Sequence, residues 1–540
     1  QRAFTLPAAD LDLGIHTIYF KAKDDEGDWS AELSATLNVL SAAGTAPEAA
    51  FSVSPTAGYT GTVFAVDASD SYDNEDPLSA LEVRWDWEDD GVYDTAWQTQ
   101  KTLTHSYPAA GLYTIRLQVR DTDGLENSAT HDVTVQAPVS ETPWLFILYL
   151  DGDNNLYGWL QRAVQALEDA SLNAELTTVV LLDGPGNGDT WRYHVQPDGD
   201  YIDGVNRWHE SELNMGDPQT LQDFVLWARE TYPAEHTYLA LADHGRGTSG
   251  IAWDDTSGAG EFITVAELRT ALREITQEGT APLDVMHYDA CLMGMVENGY
   301  QLRDYADFMV TSENLGWSTF AYPQYAALVT ATTTPRALAA GVADTYFDSV
   351  SGYPSTIAAW DLGQVTPLLD AVTSLATALQ TDLDANQYHI QNTRTATQKF
   401  DSQDYFTLDD QDEYIDLYDF ARLVKQNVPG TAVKSAAQAV MDAVDAFVVV
   451  EQHASGRYKN HYLDLDDAHG VSIYFPAAPG GWDYSRYLAH VFDFTIDSEW
   501  DEFLLSYFGI TGIVPTVPVD PGVPPVLEVC YRVYLPLVLR

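Results

Sequence analysis

From Pro143 onward the chain changes from short alternating segments to long apolar runs separated by amphipathic stretches. Trp144-Leu145-Phe146-Ile147-Leu148-Tyr149-Leu150 is unbroken in its apolar character, the pattern of a strand buried on both faces. Residues 156–170 follow with apolar positions at helical spacing, and 176–182 read as a second strand. Further strands are expected at 237–242, 283–288, 308–311 and 471–475. Helices are expected at 221–231, 264–275, 293–306, 367–379, 413–426 and 431–449. Thr264 and Glu267 stand at capping-box spacing where one of these helices begins. Repeated strand–helix units predict an α/β domain over 143–509, its mostly parallel sheet flanked by helices.

The first part of the chain has the shorter period of an all-β protein. Residues 15–22 and 35–40 read as strands around the acidic turn 24–28, too few for a complete domain, so 1–40 is expected to be a partial β-sandwich, the end of an upstream immunoglobulin-like domain. After a Ser/Ala/Gly linker at 41–47, residues 47–136 again alternate in short segments, as in a sandwich. Residues 511–527 are rich in Pro and Val, and 531–540 form an apolar tail too short to span a bilayer. The fold class is therefore multidomain, with all-β immunoglobulin-like sandwiches ahead of an α/β domain.

Charge narrows the partners. With 81 acidic against 26 basic residues, the formal net charge is −55. Such a field repels nucleic-acid phosphates and anionic head groups, and attracts divalent cations and basic peptides. No apolar run is long enough to span a membrane. Only two cysteines occur, Cys291 and Cys530, which excludes a disulfide framework. No basic-then-apolar secretion signal opens the chain, and Gln1 runs almost directly into strand-like sequence, as expected of a piece cut from a longer precursor.

Two strand ends carry candidate chemistry. One apolar run, 238–242, leads through Asp243 into His244-Gly245, and the other, 283–288, ends in Asp289-Ala290-Cys291. In an open α/β sheet ligands bind outside the carboxyl ends of the strands, so neighbouring strands would project imidazole and thiol into one crevice. Cysteine suits acyl transfer because its thiolate is intrinsically nucleophilic and an imidazole can protonate the departing amine. Gly245 permits close backbone approach, and its N–H can join that of Cys291 as an oxyanion hole. Asp86, Glu88, Asp90 and Asp94 around Gly91 have calcium-loop-like spacing without the full EF-hand pattern, and a solvated acidic turn is the alternative. Asp151, Asp153, Asn154 and Asn155 either bind calcium or shape the turn after their strand. No HExxH, paired cysteine set, phosphate-binding glycine loop or GxSxG elbow is present.

The order apolar strand, His-Gly, spacer, apolar strand, Asp-Ala-Cys resembles the caspase-like clan of cysteine peptidases. Asp289-Ala290-Cys291-Leu292-Met293-Gly294, Tyr149-Leu150-Asp151-Gly152-Asp153-Asn154-Asn155-Leu156, Ile251-Ala252-Trp253-Asp254-Asp255 and Ser472-Ile473-Tyr474-Phe475-Pro476 are similar to the clostripain family. Val83-Arg84-Trp85-Asp86-Trp87, His105-Ser106-Tyr107 and the strand from Gly111 to Asp121 resemble a PKD domain.

The resemblance implies a caspase-like fold and a secreted or cell-surface endopeptidase acting on proteins or peptides through a Cys291–His244 dyad. No cofactor is implied for the chemistry, although some relatives need Ca2+. It implies cleavage after Arg or Lys, with Asp289 in the S1 pocket. Glu313, in the loop 311–319, is the other substrate-binding candidate, although Ser and Thr stand in that loop where relatives often carry the second pocket acid. The PKD-like segment implies a spacer or a contact with cell surfaces or polysaccharide. No Lys or Arg lies between Arg246 and Arg269, so self-cleavage in that loop is not expected. His469-Gly470 precedes a strand instead of ending one. The rival readings are an adhesion protein with an inactive peptidase-like domain, and a gingipain-like enzyme of different specificity.

Overall fold

The unbroken run at 144–150 lies in a nine-stranded sheet, and its neighbours explain its composition. In the computed structural model, which describes residues 11–39, 44–136, 141–169, 173–195, 207–256, 261–403, 406–479, 487 and 492–510, the chain divides into two compact units, Gln1–Pro138 and Val139–Arg540. The expected C-terminal linker and tail, with Cys530, lie outside the described residues.

In the second unit the sheet strands are β1 (Thr142–Leu150), β2 (Leu176–Leu182), β3 (Thr190–His194), β4 (Arg207–Ser211), β5 (Ala234–Ala242), β6 (Leu283–Asp289), β7 (Ala306–Thr311), β8 (Ser355–Asp361) and β9 (Val448–Ala454). Their order is β4-β3-β2-β1-β5-β6-β7-β8-β9. The centre, β2-β1-β5-β6-β7, is parallel, while β3 and β4 on one edge and β8 and β9 on the other are antiparallel. The sheet is thus mixed, with its parallel part confined to the middle.

Alternate residues of β1 feed two cores. Trp144, Phe146, Leu148 and Leu150 pack on one face with Tyr238, Ala240 and Ala242 of β5. Leu145, Ile147 and Tyr149 pack on the other with Leu239 and Leu241. The first core is closed by helices Tyr157–Asp169 and Pro335–Ser349. The second is closed by helices that include Pro218–Thr231, Val265–Ile275, Val365–Thr381 and Thr431–Phe447. Thr264 caps the second of these helices in a capping box with Glu267.

The expected helix 293–306 is formed only over Val296–Leu302. Its first residues are diverted into tertiary hydrogen bonding: Gly294 donates to Ser312 O at 2.8 Å, and Met295 bridges to Ser472. Likewise the expected helix 413–426 begins as a strand, Tyr414–Asp416, paired with Ser472–Tyr474 before the helix Leu417–Asn427.

The first unit contains a two-stranded antiparallel sheet, Gly14–Phe20 with Leu33–Val39, and a sandwich of a three-stranded and a four-stranded sheet. The aromatic motifs form the sandwich core. Trp85 stacks on Trp87, Trp87 on His105, and the Tyr107 hydroxyl donates to Trp87 O at 2.8 Å.

Thr264→Ala removes the hydroxyl half of the capping box, in which the Glu267 N–H donates to Thr264 Oγ1, and keeps the backbone half. It is expected to lower the unfolding free energy of the α/β unit by about 1 kcal/mol, measured as a shifted denaturant midpoint at unchanged slope.

Candidate active site

Register brings the three central strands to an end at one level. Leu150 of β1 pairs with Ala242 of β5, and Ala242 with Asp289 of β6. The strand order reverses between β1 and β5, the switch point at which open α/β sheets bind ligands. Asn155 follows β1, His244 follows β5 and Cys291 follows β6. His244 and Cys291 line one cleft together with Asp289, Gly316, Trp317 and Phe320, among others.

Close approach of the two strand ends is what makes Gly245 necessary. A Cβ there would lie 2.4 Å from Cys291 O and 2.9 Å from Ala290 Cβ, distances no side chain could hold. Beyond Cys291 the chain turns sharply, with Leu292 in the left-handed region at φ 64°. This is a conformation that costs a non-glycine residue about 1 kcal/mol or more. Leu292 N–H donates to Asn314 O at 3.0 Å, so the loop after β7 holds the turn in place. From the same loop Gly316 N–H points at the sulfur, 3.1 Å from Cys291 Sγ.

His244 Nε2 lies 2.9 Å from Asn155 Oδ1. With the amide oxygen assigned toward the ring, Nε2 carries the proton and Nδ1 is left as the basic nitrogen. Burial holds the imidazole neutral by lowering its pKa to about 4. The thiol is pushed up to about 11, chiefly by burial; the Gly316 N–H opposes this, while Asp401, Asp243 and Asp289 add to it. Thiol and imidazole in the cleft are therefore both neutral at rest. A second histidine in the cleft, His287, is buried, tied to the Tyr238 hydroxyl at 2.6 Å and lowered by burial to about 3.

Among the described residues neither Gly245 nor Cys291 donates its backbone N–H to another backbone group. Asp289 is buried at the cleft wall and accepts the Tyr322 hydroxyl at 2.9 Å. Burial raises its carboxyl to about 7 against the lowering effect of that hydrogen bond.

The structure does not bring Glu313 to the cleft. It is buried, accepts the Gly470 N–H at 3.0 Å, and is raised well above the carboxylate range by burial and by Asp416, with which it shares a hydrogen bond. The flanking residues of its loop reach the cleft, but Glu313 turns away from it. His469 also lies outside the cleft lining, stacked on Tyr418.

In the first unit Asp86, Glu88 and Asp94 gather with oxygens within 4.8 Å of one another. Asp90 is not among them; its carboxylate accepts Val92 N–H at 2.7 Å. Asp86 in turn accepts the N–H groups of Asp90 and Gly91, and Asp94 that of Trp87. These bonds shape the turn.

The profile of the clostripain family matches residues 148–507, and that of a PKD domain matches 44–136. The chain belongs to the clostripain family. Clostripain of Hathewaya histolytica is 28% identical over 207 residues, 31% of this chain and 38% of that protein, so the match spans well under half of that relative. Two solved structures share the fold of the α/β unit. A secreted C11 cysteine protease from Bacteroides thetaiotaomicron, in complex with an irreversible peptide inhibitor, has 17% identity and a TM-score of 0.50, covering 67% of this chain and 100% of that one. An inactive zymogen C11 protease from Parabacteroides distasonis has 18% identity and a TM-score of 0.50, covering 66% and 99%.

In this clostripain-family chain, two contacts were not read from the sequence: Asn155, there a candidate calcium ligand or turn former, partners His244, and Gly316 donates to the sulfur. The Asp-Asn-Asn turn after β1 was the only signal for the first.

Because the thiolate is the reactive form, a thiol near 11 predicts slow alkylation at neutral pH. The rate of iodoacetamide modification at Cys291, followed by peptide mass spectrometry, is expected to climb from pH 7 to beyond pH 10. A plateau below pH 8 would show a thiolate already present in the resting site.

Proposed function

We propose that this chain is a cysteine endopeptidase with Cys291 as nucleophile, His244 as general acid and base, and a preference for Arg or Lys at P1. The observation that carries this reading is the delivery of His244 and Cys291 into one cleft from the ends of adjacent parallel strands. Cys291 Sγ attacks the scissile carbonyl carbon as its proton passes to His244. The resulting oxyanion takes hydrogen bonds from the N–H groups of Gly245 and Cys291. His244 then gives the proton to the amine nitrogen as the C–N bond breaks, and water hydrolyses the thioester by the same route reversed. No cofactor enters these steps.

Asp289 supports the P1 preference as the single carboxylate among the cleft residues close to Cys291 on the β6 side, with apolar walls from Trp317 and Phe320. A bound guanidinium or ammonium restores its charge and gains a charge-assisted hydrogen bond. On this reading the partners are proteins and peptides outside the cell, and the PKD domain contributes contact with cell surfaces or polysaccharide. No helix among the described residues is long and apolar enough to cross a membrane.

Purified chain is expected to cleave fluorogenic peptides after Arg or Lys, and Cys291→Ala to abolish cleavage. Correctly folded protein that cleaves nothing across a P1 library would remove the peptidase reading. Asp289→Asn is expected to cut kcat/KM for basic P1 peptides about 100-fold, the worth of roughly 3 kcal/mol of charged hydrogen bonding. Since Asp289 is protonated below about 7, KM for basic P1 peptides should rise as pH falls through that value, and Asp289→Asn should flatten the rise.

Asn155→Ala frees the ring of His244 and is expected to lower kcat about 10-fold or more, one hydrogen bond's worth. Asn155→Asp keeps an acceptor and adds a charge that raises the imidazole pKa. It should recover most of the rate while moving the acidic limb of the pH profile upward. An unchanged limb would mean that position 155 does not orient the imidazole.

A further inference from the structure

The turn that carries Cys291 is gripped by two segments far from it in sequence. Leu292 and Gly294 donate their N–H groups to Asn314 O and Ser312 O, at 3.0 and 2.8 Å. Ser472 donates to Gly294 O from both its N–H and its hydroxyl, each at 2.8 Å. Glu313 stands between the two acceptors of the first segment, so close that a Cβ on Gly294 would lie 2.7 Å from its nitrogen. Its side chain ties the first segment to the second: Glu313 Oε2 accepts the N–H of Gly470, two residues before Ser472, at 3.0 Å.

The other oxygen, Oε1, is buried and receives no donor, while the carboxyl shares a hydrogen bond with Asp416. Two carboxyl groups share a hydrogen bond only when one of them carries a proton. Asp416 is the acceptor of the two. Its Oδ1 takes the Asp419 N–H and its Oδ2 the His469 N–H, both at 2.6 Å, and the His469 ring lies 3.4 Å from Oδ1. The proton therefore sits on Glu313.

We propose that Glu313 is a positioning residue for the nucleophile, a neutral acid that donates to Asp416 while accepting from Gly470. The clamp fixes the loop whose Gly316 N–H reaches Cys291 Sγ at 3.1 Å. Its surroundings favour the neutral form: burial, then Asp416, then Glu451 of β9 raise the carboxyl well above the usual range, against the Gly470 N–H. The nearby basic groups have other partners. His453 faces Glu451, His469 faces Asp416, and Arg422 faces Asp419 and Asp467. The clamp stands on this geometry, whereas its effect on the rate of cleavage rests on the peptidase reading.

A carboxyl held neutral in the fold, but ionising near its usual 4.5 in the unfolded chain, costs stability as pH rises above that value. Glu313→Gln keeps a donor for Asp416 and an acceptor for Gly470 and cannot ionise. In thermal melts of the full chain carrying Cys291→Ser, its Tm advantage over the parent should grow from about pH 5 to about pH 8. The two unfolding constants should diverge about tenfold per pH unit until Glu313 ionises in the fold. A gap that does not change with pH would overturn the neutral acid. With Cys291 restored, Glu313→Ala should lower kcat for a fluorogenic Arg peptide about 10-fold or more at little change in KM, and Glu313→Gln should recover most of it. Iodoacetamide modification of Cys291 at neutral pH makes the same comparison without a substrate, so a chain that cleaves nothing still tests the clamp. Its rate should rise several-fold in Glu313→Ala, because burial is the chief cause of the raised thiol, and return in Glu313→Gln. Where Glu313→Ala does not fold, Glu313→Asp, too short to bridge both partners, takes its place. Unchanged rates in the folded variant, or equal damage in Glu313→Gln, would overturn the positioning role.

Discussion

The level ending of β1, β5 and β6 is the constraint from which the rest of the site follows. Parallel strands in register deliver the residues beyond them to one crevice, and here those residues are Asn155, His244 and Cys291. The delivery works only if the two loops can lie against each other. Gly245 allows it, because any Cβ would collide with the carbonyl of Cys291. The strained turn at Leu292 is then held by the loop after β7, whose Gly316 N–H reaches the sulfur. Packing on both faces of β1 supports the register, since a slip of one residue would exchange its two cores.

Sequence and structure agree where a physical signal is local. Strands at 144–150, 176–182 and 283–288 were legible because burial on both faces demands continuous apolar residues. The helix at 264–275 was legible because its cap is written in Thr264 and Glu267. The antiparallel strand β3 and the edge strand β4 were not, since Thr190–His194 and Arg207–Ser211 carry polar residues that break an apolar run. The helix expected from 293 is truncated because Gly294 and Met295 find backbone partners distant in sequence, a contact no local pattern encodes.

The same distinction divides the site. His244, Gly245 and Cys291 stand at strand ends and could be read from the pattern. Asn155 depends on which strand lies beside β5, and the burial of Glu313 depends on Asp416 and Gly470, both far along the chain.

A chain with this excess of acid has an unusual electrostatic problem at a nucleophile, because carboxylates oppose a thiolate. Asp243, Asp289 and Asp401 all act to hold the Cys291 thiol up. On the proposed reading the substrate removes part of that opposition itself. A basic P1 side chain bound to Asp289 offsets the negative charge that this carboxyl, raised to about 7, carries once ionised, and entry of the peptide brings His244 into use as the proton acceptor. The energy of binding a cation is then expressed partly as a more acidic thiol, so a neutral P1 residue would forfeit both the contact and the activation. Recognition and activation share one carboxylate, which explains how a neutral resting pair can serve a nucleophilic mechanism in so acidic a protein.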